Sequence, residues 1–316
     1  MKEVRNIVHC NEVHRQGILG NNIGVAILDT GCSNHMDLQH CVTVRKSFIR
    51  ENRNDSQMGY SRNTTNIEGN DSNGHGTHVA GIIAGSGKAS KGNYMGIAPM
   101  ARLVVCQVLD GNGGGSIPNF VNALEWIKNV REQYNIRIIN ISVGGEVGQS
   151  HMEDKLISCV EELWHEGIAV VVAAGNNGPK PGTITMPGSS KKVITVGSYE
   201  ERMRRIEPYS GRGPTKQCIM KPEILAPGKN IISCNKERSY KTLSGTSMAA
   251  PVVSGALALY LDKYPKATPK EMKYALYRSA KDLGYPKKVQ GWGMIDINTL
   301  LNTPPVKNLS HVTVQP

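Results

Sequence analysis

Five short apolar runs recur along the chain, with helical patterns between them. Residues 24–28 (GVAIL) are apolar throughout. A run without polar alternation reads as a parallel strand covered on both faces. Residues 102–109 (RLVVCQVL), 137–143 (RIINISV), 168–174 (IAVVVAA) and 192–197 (KVITVG) repeat the type. Residues 76–84 form a helical stretch of small side chains. In 117–134, Phe120, Val121, Leu124, Ile127 and Val130 recur near the helical period. Leu156, Ile157, Val160, Leu163 and Trp164 do the same in 153–166. Residues 247–264 read as an apolar, Ala-rich helix. A further helix spans 269–279, with Thr268 as its N-cap and Pro269 at its first position.

Strands alternating with helices predict an α/β fold, a mainly parallel central sheet with helices on both faces. Two Gly- and polar-rich insertions, 50–74 and 85–96, read as surface loops. Residues 302–316 contain prolines and lack a clear period, so they read as a C-terminal tail. Residues 1–301 read as one domain, with no internal repeat or dividing linker.

Composition alters this picture in few places. The 316 residues are many for a single domain, but large α/β enzymes reach this size around one core. Only two Phe and three Trp are present, so aliphatic side chains and Ala must fill the interior. The seven Cys are odd in number and irregularly spaced, at 10, 32, 41, 106, 159, 218 and 234. No CxxC pair occurs, which argues against a zinc ribbon or redox motif. Reduced thiols in a cytoplasmic protein are expected. The start, MKEVRNIVHC, has no apolar signal region. No window approaches the roughly 18 apolar residues of a membrane helix. The formal charge is +11. The basic residues are scattered and lack an aromatic platform, so nucleic acid is not the expected partner. The charge reads as a soluble basic surface, or as a preference for acidic peptides.

Three segments carry chemistry together. Asp29, in ILDTG, sits just past the first apolar run, at the strand end where α/β folds place ligands. Taken alone, such an Asp more often caps the next turn. His75 lies in NGHGTHVAG, at the start of the small-residue helix. One ring nitrogen can face a carboxylate there while the other faces a nucleophile. His78 follows at three residues with no Glu between, so the HExxH zinc pattern is absent. His78 reads as a packed helix residue. Ser247, in SGTSMAAP, opens the Ala-rich helix. A Ser there is usually a cap. The helix terminus also favours developing negative charge, and a nearby His can make the hydroxyl nucleophilic. Asn176, in AAGNNG, directly follows the fourth strand, and its amide could donate to an oxyanion. The order Asp, His, Ser is one of the known chain orders of the catalytic triad.

The segments VAILDTG, GHGTHVAG, NISVGG, VVAAGNNG and GTSMAAP resemble, in order and separation, the signature blocks of the subtilisin-like serine proteases. MGIAPMA, ITVGS, SGRGP, KPEILAPG and GWGMIDI support the resemblance, which covers roughly residues 10–301. It implies a subtilisin-like three-layer fold and a serine endopeptidase. Asp29 would steady the imidazolium, His75 would move the proton, and Ser247 would attack. Asn176 and the Ser247 N–H would hold the oxyanion. Ser142, Val143, Gly144 and Gly145 would line the P1 pocket and pair with substrate. Gly113, Gly114 and Gly115 would form the opposite pairing strand. A peptide substrate would then bind as an added β-strand. Thr185 would lie at the pocket floor and Asn177 at its rim, which implies an uncharged or apolar P1 residue. The signal-less start resembles the intracellular branch, and cytoplasmic protein turnover is the expected role. A dedicated leader-processing protease and a non-catalytic binding module on the same fold are the alternatives. No cofactor is required for catalysis. The family's calcium loop is altered: GSGKASKGNYM, residues 85–95, has Lys88 and Lys91 and no Asp or Glu. Calcium favours carboxylate oxygens. A weak structural calcium site remains open at the carbonyls of 179–186, with Glu200.

Overall fold

The computed structural model describes residues 1–49, 71–145, 151–307 and 309. Its strands are β1 (Gly24–Asp29), β2 (Val42–Ser47), β3 (Arg102–Gln107), β4 (Ile136–Ile141), β5 (Ala169–Ala173), β6 (Ile194–Glu200), β7 (Arg205–Ile206), β8 (Ile224–Pro227), β9 (Ile231–Cys234) and β10 (Tyr240–Leu243). The helices are α1 (Lys2–Ile7), α2 (Cys10–Arg15), α3 (His75–Ala84), α4 (Ile117–Val130), α5 (His151–His165), α6 (Thr246–Lys263), α7 (Pro269–Ser279), α8 (Lys287–Gln290) and α9 (Ile297–Leu301).

The main sheet runs β2-β3-β1-β4-β5-β6-β7, with β8 also paired to β6. Its pairings are parallel except β6 with β7. β9 and β10 form a separate antiparallel hairpin. β1 is fully buried, as its unbroken apolar run requires. It lies between β3 and β4, with Asp29 level with Gln107 and Leu28 level with Ile141. The chain winds one way from β1 to reach β2 and β3, then the other way to β4, β5 and β6. The carboxyl end of β1 therefore opens on the crevice where winding reverses, the usual ligand position in open α/β sheets.

Helices cover both faces. α3 and α6 pack on one side, and α4 and α5 on the other. α6 is apolar all round and buried from Met248 to Leu261, so it behaves as a core helix rather than a surface one. α7 begins with the expected cap: Thr268 Oγ1 accepts from Glu271 N and Glu271 Oε2 accepts from Thr268 N, a capping box.

All five apolar runs are strands, and all five expected helices form, with ends shifted by a few residues. The periodic pattern did not reveal β2, β7, β8, β9 or β10. β2 (VTVRKS) is an edge strand with half-exposed polar side chains, and β8 (ILAP) is only four residues long. Such pieces carry too little periodicity to stand out. Most of the 50–74 insertion lies outside the described residues. Asp71 within it is buried at 3% exposure, so its end is no surface loop. Of the expected tail, Thr303 O accepts from Tyr260 Oη at 3.0 Å, and Leu309 is buried.

Candidate active site

Asp29 closes β1 with no exposure to solvent. Its Oδ1 meets His75 Nδ1 at 2.7 Å and accepts from Thr30 N at 2.8 Å. His75 is the first residue of α3, and its ring is partly exposed while the carboxylate is not. The two elements approach closely because Gly76 has no side chain. A Cβ there would lie 2.1 Å from Gly31 O and 3.2 Å from Asp29 Cβ. Burial works to lower the His75 pKa. The Asp29 charge, its hydrogen bond and the Asp71 charge outweigh that, so the pKa stands above its ordinary 6.5.

Asp71 fixes the start of α3. Its Oδ1 accepts from Gly74 N and Thr30 Oγ1, each at 2.8 Å. Its Oδ2 accepts from Thr77 N at 2.8 Å and Thr77 Oγ1 at 2.6 Å. A carboxylate on the free N–H groups of a helix start is favoured by charge and by hydrogen bonding. Thr30 completes the brace by accepting from Gly76 N at 2.9 Å. The sequence reading missed these residues. The signal was present as an acid four residues before His75, with Gly and Thr at capping distances. His78 is packed as expected, with Nε2 on Ile231 O and Lys241 O, and burial lowers its pKa to about 4.

Ser247 is the second residue of α6 and is half-buried. Asn176 meets the same helix end. Its Oδ1 accepts from Thr246 N at 3.0 Å and Thr246 Oγ1 at 3.1 Å, while Thr246 Oγ1 accepts from Gly175 N at 3.2 Å. The backbone N–H can only donate, so the carboxamide orientation is determined. Asn176 Nδ2 is thereby turned away from Thr246. A Cβ built on Gly245 would lie 3.4 Å from Asn176 Nδ2 and 3.7 Å from Ser247 N. The same Cβ position lies 3.7 Å from Asn176 Oδ1, so both carboxamide atoms and the Ser247 N–H come near Gly245. His75 and Ser247 make no hydrogen bond to each other. Catalytic hydrogen bonds often tighten only with substrate present.

Thr185 is 5% exposed and lies between two glycines. A Cβ on Gly144 would be 2.0 Å from Thr185 Oγ1, and one on Gly175 would be 2.5 Å from its Cγ2. Gly175 also has φ +93°, which favours glycine. Thr185 Oγ1 has no hydrogen-bond partner. Gly145 O accepts from Met186 N at 3.1 Å, which joins the 142–145 segment to the Thr185 turn. Ser142 is buried and takes Asn140 Nδ2 at 2.8 Å, Val143 is half-buried, and Gly144 and Gly145 are exposed. Gly113, Gly114 and Gly115 form an exposed hairpin turn, with Leu109 bridged to Gly115. Asn73 Nδ2 donates to Gly111 O at 3.0 Å and ties this turn to the His75 loop. Asn177 is exposed beside Asn176.

The altered loop is filled by a side chain. Arg5 is 4% exposed, and its guanidinium donates to Gly92 O at 2.9 Å and to Met95 O. Carbonyls that accept from a guanidinium do not suit a divalent ion. Among the described residues, His35, Asp37 and Cys234 also cluster. His35 already takes Asp37 N and Ser239 O, and Asp37 takes Ser86, Ala89 and Tyr240. This cluster is satisfied without an ion. Glu200 pairs with Arg205 at 3.8 Å.

Known proteins resemble this chain in sequence and in fold. Residues 20–293 match the subtilase family model. The chain is 38% identical over 295 residues to serine protease AprX of Bacillus subtilis (strain 168), covering 85% of this chain and 64% of that protein. It is 34% identical over 260 residues to the major intracellular serine protease of the same organism, covering 80% of this chain and 72% of that one. The solved structure of Sphericase superposes with a TM-score of 0.76 at 29% identity, covering 87% of this chain and 91% of that one. The fold is therefore subtilisin-like, and the chain belongs to the subtilase family of subtilisin-type serine peptidases.

Proposed function

We propose that the chain cleaves peptide bonds through Asp29, His75 and Ser247, by way of an acyl-enzyme. The observation that carries this reading is the 2.7 Å hydrogen bond between the buried Asp29 carboxylate and His75 Nδ1. It keeps the proton on Nδ1 and leaves Nε2 as a base. Ser247 Oγ attacks the scissile carbonyl carbon while its proton passes to His75 Nε2. The carbonyl electrons move to oxygen, where Ser247 N–H and Asn176 Nδ2 receive the charge. The tetrahedral state collapses, the C–N bond breaks, and His75 protonates the leaving amine. Water then repeats the sequence and releases the acid. These steps require no cofactor. A weak calcium site at the carbonyls of 179–186 would be structural.

The substrate lies between 113–115 and 142–145 as an added strand. Thr185 forms the floor of the P1 pocket. It is uncharged and narrow at its glycine walls, so an uncharged or apolar P1 residue is expected. The partner is a peptide, not nucleic acid or membrane. Similarity to a major intracellular serine protease supports a cytoplasmic turnover role. The test is cleavage-site profiling on a mixed peptide library. Uncharged P1 residues with broad flanking sequence are expected. A dominant Arg or Lys at P1 would refute the pocket reading, and one narrow sequence would favour leader processing.

Asn176→Ala is expected to lower kcat by about 10²–10³-fold with KM little changed, the size of loss that subtilisin shows for its own oxyanion asparagine. Equal losses in kcat and kcat/KM in steady-state assays would place Asn176 at the transition state. A rise in KM alone would place it in ground-state binding.

A further inference from the structure

Behind the turn that carries Thr185 lies a group of buried charges that the proposed reaction does not use. Lys221 is 0% exposed, Glu223 2% and Lys273 of α7 5%. Two lysine side chains therefore share one carboxylate. Glu223 Oε1 accepts from Lys221 Nζ at 2.7 Å and from Lys273 Nζ at 3.0 Å, and Glu223 Oε2 accepts from Lys221 Nζ at 2.9 Å. Burial lowers the Lys221 pKa to about 7, and a buried ammonium without compensation is costly, so the Nζ hydrogens must meet dipoles.

Backbone oxygens supply them. Lys273 Nζ donates to three successive carbonyls, Lys191 O at 2.9 Å, Lys192 O at 3.1 Å and Val193 O at 2.9 Å. Lys221 Nζ adds Val193 O at 3.2 Å and Thr195 Oγ1 at 3.0 Å. Three successive carbonyls turned to one point repel each other unless a cation sits there. Residues 191–193 form such a cradle, and α7 delivers the cation to it.

The cradle is linked to the pocket floor. Thr195 Oγ1 accepts from Lys221 and donates to Gly188 O at 2.7 Å. Gly188 backs directly on the floor, since a Cβ there would lie 3.0 Å from Thr185 O. Ser190 N donates to Pro187 O at 3.1 Å, and Ser190 Oγ donates to Glu161 Oε1 at 2.7 Å. One continuous turn thus has Thr185 at one end and the cradle at the other.

We propose that Lys273 is a tethered cation. Its ammonium fills a cation site made by Lys191 O, Lys192 O, Val193 O and Glu223 Oε1, and so holds the 185–193 turn and the P1 pocket in shape. Lys273 is a positioning residue, and it acts on the substrate only through that turn. The pocket half of this inference rests on the proposed peptidase reading. Ammonium and potassium are similar in charge and size, so the same oxygens accept potassium once the ammonium is removed.

The test is Lys273→Met, which keeps an apolar stem and deletes the charge. Thermal unfolding, and kinetics on two peptides differing only at P1, are measured in choline chloride and in potassium chloride at equal ionic strength. The wild type is expected to be indifferent to the cation. In choline the variant is expected to show a lower Tm, a KM raised several-fold for the preferred P1 peptide, and a smaller change in kcat. Potassium restores both Tm and KM. A variant that fails to fold in choline is expected to fold in potassium. A loss that potassium does not restore overturns the proposal, as does a variant unaffected in choline. Recovery of Tm with no change in P1 selectivity overturns the pocket link alone. A wild type that cleaves neither peptide defeats the peptidase reading, while the unfolding data still decide the cation site.

Discussion

Ser247→Ala is expected to lower kcat by about 10⁶-fold, the loss that subtilisin shows for its own nucleophile. The loss is large because alanine leaves His75 no hydroxyl to activate. Cys32 follows Asp29 by three positions, but it is 1% exposed and burial pushes its pKa to about 12. It is a thiol, not a thiolate, at any assay pH near neutrality. The variant should keep its KM and thermal stability, because the side chain removed is small and half-buried. It should lose labelling by an organophosphonate. About 10³–10⁴ of acceleration over water should persist, since Asn176 and the backbone N–H still hold the oxyanion. Steady-state kinetics with a sensitive fluorogenic peptide would measure this. A loss of only tenfold would mean that Ser247 is not the nucleophile, whereas a wild-type Ser247 that no organophosphonate labels would favour a binding module on this fold.

Asp29→Asn is expected to cost about 10⁴-fold in kcat, equivalent to about 5.5 kcal/mol of barrier. The carboxylate accepts the proton on His75 Nδ1, so Nε2 is left as the base. A carboxamide can donate at that position and favours the other tautomer. The same substitution should move the pH profile. In the wild type, Asp29 and Asp71 hold the His75 pKa above 6.5, so kcat/KM falls as pH drops through that raised value. Removing the Asp29 charge leaves burial to act against a weaker Asp71 influence. The acid limb should then shift to lower pH while the plateau falls. A variant with the wild-type limb would show that another group titrates there.

Much of this was legible in the residues. GVAIL and IAVVVAA are apolar without alternation, and runs so short of that kind suit a parallel strand covered on both faces. The triad candidates stood out because each follows a strand or opens a helix with glycine beside it. What escaped was either short or non-local. β8 has four residues and β7 two, below the length at which a period can be read. Asp71 was read as part of a polar insertion, because a carboxylate in a loop looks the same whether it meets water or four donors. The buried lysines were invisible for a related reason. Lys221 and Lys273 resemble any surface Lys until α7 is laid against the 191–193 turn.

The sequence by itself determined the type of the long elements, the mainly parallel sheet and the candidate groups for acyl transfer. Local pattern suffices for these, because burial on both faces and helix-start chemistry leave marks within a few residues. Only the tertiary structure decided which charge meets which. It set Asp29 against His75 across 46 positions, turned Asn176 by means of Thr246 across 70, and carried Lys273 to Val193 across 80. Hydrogen bonds and ion pairs act over a few ångströms of space whatever the distance along the chain, and no spacing in the sequence records where the fold will bring those ångströms about.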